Sequence, residues 1–329
     1  MRQLLWGVGL LGALALINTV LPPLINPYIA QVIVLCGINV ILAVSLNLVN
    51  GFTGQFSIGH AGFMALGAYG SAMFSLKVGM RWVAALAAVG VPAPVAEGAA
   101  LLVALLLGGT LAALAGYLVG LPSLRLRGDY LAIVTLGFGE IIRVLILNVD
   151  AVGAARGLPG IPAWVDFFWV GVGVVAVILL SRHLAASTHG RALFAIRDDE
   201  VAAEALGVDT TSYKVLAFVL GAFFAGIAGG LFAHFLSYLN PNSFTFIKSI
   251  EVIAMVVLGG MGSISGAVLA AIILTLMPEV LRPVKDYRMV IYSLMLIVLM
   301  ITRPGGLLGS REISLAWLKR RFRPARGRA

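Results

Sequence analysis

Charged and hydrogen-bonding side chains are scarce in this chain, so each place where several stand together is a candidate for chemistry. In "LAIVTLGFGEIIRVLIL", Glu140 and Arg143 are three residues apart inside an apolar run. That spacing puts both on one helix face, where each can neutralise the other. Such a pair either serves a solute or proton pathway, or lowers its own insertion cost and ties helices together. In "GFTGQFSIGHAGFMALGAYG" (51–70), Gln55, Ser57 and His60 bring hydrogen-bonding groups into apolar surroundings, where each needs a partner or water. His60 is either a satisfied packing residue or a proton carrier, and no second His or Cys stands at metal-ligand spacing, so no metal is expected. Lys248 and Glu251 pose the same choice at the edge of an apolar run, where snorkelling to water explains them.

The longest unbroken run of charges lies in "RDDEVAAEALG", residues 197–207. Asp198 or Asp199 can cap a helix there, and Gly207 can end it in the left-handed conformation that glycine adopts at little cost. Two turns result. Val201, Ala202, Ala205 and Leu206 then form one apolar face, while Arg197, Asp198, Asp199, Glu200 and Glu204 supply polar edges. Two turns are marginal in water, so this is either a solvated helix tying two spans together or a helix completed by docking to another protein. Catalytic signatures are missing. The sequence contains no G-x-x-x-x-G-K-[ST] phosphate loop, no nucleophile elbow, no H-E-x-x-H and no paired metal cysteines. No enzymatic activity and no cofactor are therefore expected. The single Cys36 can form no internal disulfide and reads as a small packing residue.

The elements that must position these residues follow from composition. Of 329 residues, 60% are hydrophobic and only 11% charged, against roughly a quarter charged in soluble domains. Apolar runs near 4–21, 29–50, 58–76, 99–121, 130–149, 164–182, 215–238, 247–262, 264–281 and 287–303 approach the roughly 18–20 residues a helix needs to cross a bilayer. The expected fold is all-α: a polytopic transmembrane helical bundle of eight to ten spans, with ten preferred. Residues 83–98 read as a non-spanning connection because of their two prolines and Glu97. The run 4–21 resembles a signal peptide but is long and lacks a convincing cleavage site, so it reads as a retained span.

One membrane domain (1–309) and a basic tail (310–329) account for the chain. Eight of its 23 basic residues lie between Arg303 and the C-terminus. They hold the tail in the cytoplasm against anionic lipid, and no aromatic platform accompanies them to suggest nucleic acid. With Arg2 inside, alternation also puts Arg125, Arg127 and the polar loop 183–214 inside, but leaves Arg282, Lys285 and Arg288 outside. Small residues recur every four positions at Gly108, Ala112, Gly116 and Gly120, and again at Gly221, Ala225 and Gly229. They predict close helix packing within one subunit rather than a subunit interface. The glycine clusters at 51–70 and 257–271 look like broken helices, the second falling where a turn is expected.

The strings "GFTGQFSIGHAGFMALGAY", "LRLRGDYLAIVTLGFGEIIRVLILN", "GRALFAIRDDEVAAEALGVDTTSYKVLAFVLGAFFAGIAGGLFA", "VLGGMGSISGAVLAA" and "RPGGLLG" resemble the M-type permeases of branched-chain amino acid ABC transporters. The likeness runs from about residue 40 to 309. It implies a multi-pass subunit of a bacterial inner-membrane importer paired with a related H-type permease. Two cytoplasmic ATPase subunits and a periplasmic substrate-binding protein complete the assembly that it implies. It also implies a cytoplasmic coupling helix related to the E-A-A-x-x-x-G motif, matched here at Ala202, Ala203 and Gly207. Val201 stands at the acidic position, and Glu200 comes one residue early. By this resemblance Asp199, Glu200, Ala202, Ala203, Glu204 and Gly207 couple to the ATPase, while by their own chemistry in apolar surroundings Gln55, Ser57, His60, Glu140 and Arg143 are candidates for the translocation pathway. Alternatives are a permease for urea, amides or other small organic acids, an ion-coupled secondary transporter using His60 or Glu140, and an assembly subunit that only supports a partner permease.

Overall fold

A computed structural model describes residues 25–123, 130–282, 287–302 and 305–309, with isolated positions at 12, 14, 18, 19 and 312. The order of elements is α1 (Pro27–Asn50), α2 (His60–Phe74), α3 (Met80–Ala88), α4 (Ala93–Ser123), α5 (Tyr130–Asn148), α6 (Phe167–Ala186), α7 (Thr188–Asp198), α8 (Glu200–Ala205), α9 (Thr210–Leu236), α10 (Phe246–Gly259), α11 (Ile264–Val280) and α12 (Arg288–Thr302). A two-stranded antiparallel pairing, β1 (Leu158–Pro159) with β2 (Tyr238–Leu239), fastens the loop after α5 to the end of α9.

The chain is all-α and multi-pass. Helices α1, α4, α5, α6 and α9 are long and apolar enough to cross a membrane, and α11 is a shorter apolar helix. The expected run at 4–21 falls almost wholly outside the described residues. Residues 83–98 are not a loose connection. The end of α3, a turn at Gly90 (φ +90°) and the first turn of α4 divide them. Pro92 precedes α4 and Pro94 sits in its first turn, where a missing N–H costs nothing. On its other side α3 is continuous with α2 through a π-helical turn, Ser75–Gly79.

At the centre stands α9, packed against α1, α2 and α4. With only the weak apolar drive available between helices in lipid, close backbone approach supplies the packing. A Cβ on Gly67 would collide with the backbone of Gly226, one on Gly108 would lie 2.6 Å from the Gly67 oxygen, and one on Gly226 would lie 2.6 Å from the Ala112 Cβ. The expectation of packing within one subunit accords with this: Gly221 meets α1 at Ser45, Gly229 meets α2 at Met64, and Gly116 meets Ala222 of α9.

The two glycine clusters differ from broken helices. In the first, the irregular stretch is 51–59, mostly buried, and the helix that starts at His60 runs unbroken to Phe74. In the second, Gly260 (φ +103°) and Gly262 (φ +90°) make the expected turn between α10 and α11. Helix α1 supplies hydrogen bonds to both irregular segments. Asn50 exchanges two bonds with the Ser57 backbone (3.2 and 3.4 Å), and Asn47 Oδ1 accepts the Gly262 N–H at 2.9 Å. Buried non-helical backbone is tolerated in a membrane protein when protein groups satisfy it in this way.

Candidate functional site

The charged segment is two helices, not the one that sequence spacing suggests. Arg197 and Asp198 close α7, pairing with each other at 2.9 Å, and Asp199 alone caps α8, accepting the Ala202 N–H at 3.0 Å. Gly207, at φ +86°, ends α8 as expected. The polar segment therefore contracts from 183–214 to the two helices between Ala186 and Thr210. Asp209 caps the next helix. Hydrogen bonds from the Ser212 hydroxyl and then its N–H hold the Asp209 carboxyl below its ordinary pKa. Substituting Asp199 by alanine removes the α8 cap, worth about 1 kcal/mol. Amide exchange across 200–206 is expected to accelerate roughly fivefold, read by hydrogen–deuterium exchange, with α9 unaffected.

On α8 the buried side is Ala203, only 3% exposed, while Val201 (65%) and Leu206 (86%) stand out, and Ala202 and Ala205 are exposed beside them. The apolar face read from the spacing is thus present and uncovered. Glu200 turns back toward the bundle, where its carboxylate meets Lys214 Nζ of α9 at 2.6 Å; the Lys214 side chain is 5% exposed. Lys214 was not singled out by sequence reasoning. Its only signal was a lysine just inside an apolar helix start, which positive-inside counting absorbs without comment. Glu204 is exposed.

From α7 the contacts run inward. Arg197 lies over the Phe194 ring at 5.1 Å, Phe194 packs on Phe52 at 4.9 Å, and Arg197 donates to the Gly51 carbonyl at 3.5 Å. Gly51 in turn abuts Gly262. Leu307 N–H donates to the Leu258 carbonyl at 2.7 Å, fixing the "GGLLG" stretch on the same turn. The polar helices thus rest on both irregular glycine segments at one end of the bundle.

Segment 51–59 leads from that end toward α2. His60 is 2% exposed and its Nε2 lies 2.8 Å from Ser45 Oγ, so one of its ring nitrogens has a hydrogen-bond partner inside the bundle. Gln55 is buried with an unpartnered Oε1, and Ser57 acts through its backbone. Ile58 N–H donates to Thr135 Oγ1 of α5 at 3.1 Å, and Ala61 N–H to Ser249 Oγ of α10 at 3.0 Å. The starts of α2 and α10 therefore meet beside α5.

A shallow cleft of about 10 Å³, room for roughly one water-sized group, opens at that junction between Ile58, Ala61, Leu136, Glu140, Phe244 and Phe246. Glu140 shares its carboxylate. Oε2 accepts from Arg143 Nε at 2.7 Å, and Oε1 from the Phe246 N–H at 3.3 Å. Of the pathway candidates, Glu140 alone lines this cleft; Arg143 is held to it through Glu140, and Gln55, Ser57 and His60 lie along the segment behind it.

Lys248 corrects another expectation. Rather than snorkelling from a span edge, its Nζ bonds Glu251 and the Asn39 side chain, both at 3.2 Å, and Asn39 donates to Thr275 Oγ1 at 2.9 Å. Asn39 lies midway along α1. The reason is the length of α10: 14 residues rise only about 21 Å, so with Gly259 at one end of the bundle its other end stops within a core about 30 Å thick. Among the described residues no three His, Cys, Asp or Glu side chains gather to hold a metal.

Comparison with known proteins follows the same chain course. The family model described as the permease component of branched-chain amino acid transport systems matches residues 28–301. The chain is 36% identical, over 90% of its length, to the high-affinity branched-chain amino acid transport system permease protein LivM of Escherichia coli, covering 73% of that protein. It is 35% identical to the LivM of Salmonella typhimurium over the same shares. The Escherichia coli permease LivH of the high-affinity branched-chain amino acid transport system is 33% identical over 44% of this chain and 47% of its own. No solved structure matches.

Proposed function

Because the chain belongs to the family of branched-chain amino acid transport permeases, we propose that it is the M-type permease subunit of an ABC importer. In this reading it carries leucine, isoleucine and valine across the bacterial inner membrane, driven by ATPases on separate chains. A related H-type permease pairs with it, two cytoplasmic ATPase subunits drive the pair with α8 seated in the groove of one of them, and a periplasmic binding protein delivers the solute. Eight to ten membrane segments fit the reading, counting 4–21 and the short helices α10 to α12.

The observation that carries it is the uncovered apolar face of α8, presented by a helix anchored to the bundle through the buried Ala203 and the Glu200–Lys214 pair. Two turns of helix gain most of their stability from what they pack on, and here the outward side chains stand exposed, with nothing among the described residues covering them. A groove on a moving ATPase supplies one. Motion of α8 then reaches α7, and through Arg197 and Phe194 the segment 51–54 and the Gly260–Gly262 turn. That segment continues to Ile58 at the cleft, so the chain holds an unbroken series of contacts from the α8 surface to Glu140.

The test is reconstitution in vesicles with both permeases, the ATPases and the binding protein. Leucine uptake is expected only with ATP and all components present. Uptake by this chain alone under an imposed proton or sodium gradient would instead establish a secondary transporter.

A further inference from the structure

Arg143 is an incomplete partner for Glu140. Its hydrogen bond to the carboxylate uses Nε alone, and neither terminal nitrogen of the guanidinium has a hydrogen bond to another described residue. Yet both side chains are largely sheltered, 23% exposed for Arg143 and 34% for Glu140, on a helix whose neighbouring positions Ile141, Val144 and Leu145 face outward. A guanidinium presents a planar fork that suits a second carboxylate in two-pronged fashion. Ionised groups at membrane depth face a wet cavity or another protein rather than lipid, and they mark solute pathways.

Resting on the permease reading, we propose that the Glu140–Arg143 pair is the recognition site for the charged end of the solute, and that the class it selects is the α-amino acid zwitterion. The ammonium group enters the cleft and meets the Glu140 carboxylate, while the α-carboxylate meets the free edge of Arg143. Four charges then alternate in a ring of zero net charge, so no step buries an unbalanced ion. The cleft has room for a group of about the size of water, so it takes the ammonium end, and the aliphatic side chain projects out of it past Phe246, an exposed residue of its lining. Urea and simple amides carry neither charge and leave both groups of the pair unanswered. The N-terminus of α10, already engaged by Glu140 through the Phe246 N–H, keeps the carboxylate aimed into the cleft.

The experiment uses the complete transporter in vesicles and reads leucine moved per ATP hydrolysed, a ratio that a merely structural ion pair would not move. For Glu140→Gln combined with Arg143→Gln, which keeps the site neutral and hydrogen-bonding, the ratio is expected to fall at least about tenfold. Arg143→Lys, which keeps the charge, is expected to recover part of it. A double variant that keeps the wild-type ratio overturns the proposal. Failure of the wild-type complex to take up leucine with ATP sinks the permease reading instead. If the double variant does not co-purify with its partners, the wild-type complex of permeases and ATPases, without the binding protein, decides. Millimolar leucine is expected to raise its melting temperature in detergent and 4-methylpentanamide, of matching shape but uncharged, to leave it unmoved; equal stabilisation by both overturns the assignment.

Discussion

Val201→Asp and Leu206→Asp are each expected to abolish ATP-driven uptake while the chain still inserts and co-purifies with its partner permease. Both side chains stand clear of the fold, at 65% and 86% exposure, so a charge there disturbs no internal contact. Docked in a groove they become central apolar anchors, and losing such an anchor costs about 2 kcal/mol or more, roughly a thirtyfold loss of affinity. Spacing alone would have chosen Glu200→Lys with Ala203→Arg. The structure makes that pair a poorer probe, because Ala203 is buried and Glu200 neutralises the buried Lys214. Breaking such a pair costs about 3–5 kcal/mol and dislodges α8 whether or not anything binds it. The measurement is the ATPase content of the purified complex alongside leucine uptake. Normal uptake by both aspartate variants would show that this face grips nothing that matters to transport.

Gly67→Leu is expected to prevent folding altogether. Gly67 of α2 and Gly226 of α9 press backbone to backbone, with Gly108 and Ala112 of α4 closing the same contact from the third side. Even one surplus methylene in a well-packed core costs about 1–3 kcal/mol. Here the obstacle to a leucine is main chain, which cannot swing aside as a side chain can. Gly137→Ala in α5, where an added Cβ meets nothing within 4 Å, is the control and is expected to fold normally, with a slight gain in helix propensity. Yield and melting temperature in detergent distinguish the two; a stable Gly67→Leu protein would mean that the three helices are held apart by something other than these glycines.

The small-residue stripes were legible because in lipid little but close approach brings helices together, so four-residue spacing has one main structural use. Which stripe meets which helix was not legible. Gly221, Ala225 and Gly229 lie on one face of α9 and Ala222 and Gly226 on another, and only the assembled bundle assigns Gly221 to α1, Gly229 to α2, Ala222 to α4, and Gly226 to both α2 and α4. His60 illustrates the opposite limit. Its type suggested chemistry, and a hydroxyl fifteen residues earlier in the chain partners one of its ring nitrogens.

By itself the sequence determined that this is a helical membrane protein, that an aspartate caps and Gly207 ends a short helix in the charged segment, and that Glu140 and Arg143 share a face. Each of these depends on composition or on spacings of a few residues, which local geometry converts directly into structure. Tertiary structure alone decided that α8 turns Ala203 inward and Val201 outward, that Arg197 reaches Gly51, and that Lys248 reaches Asn39. It also brought the beginnings of α2 and α10 together at Glu140. Those pairings join residues from about 100 to 200 positions apart, and helix periodicity carries no information across such distances. Where an apolar helix ends its crossing depends on what it packs against, and that is fixed only when the bundle closes.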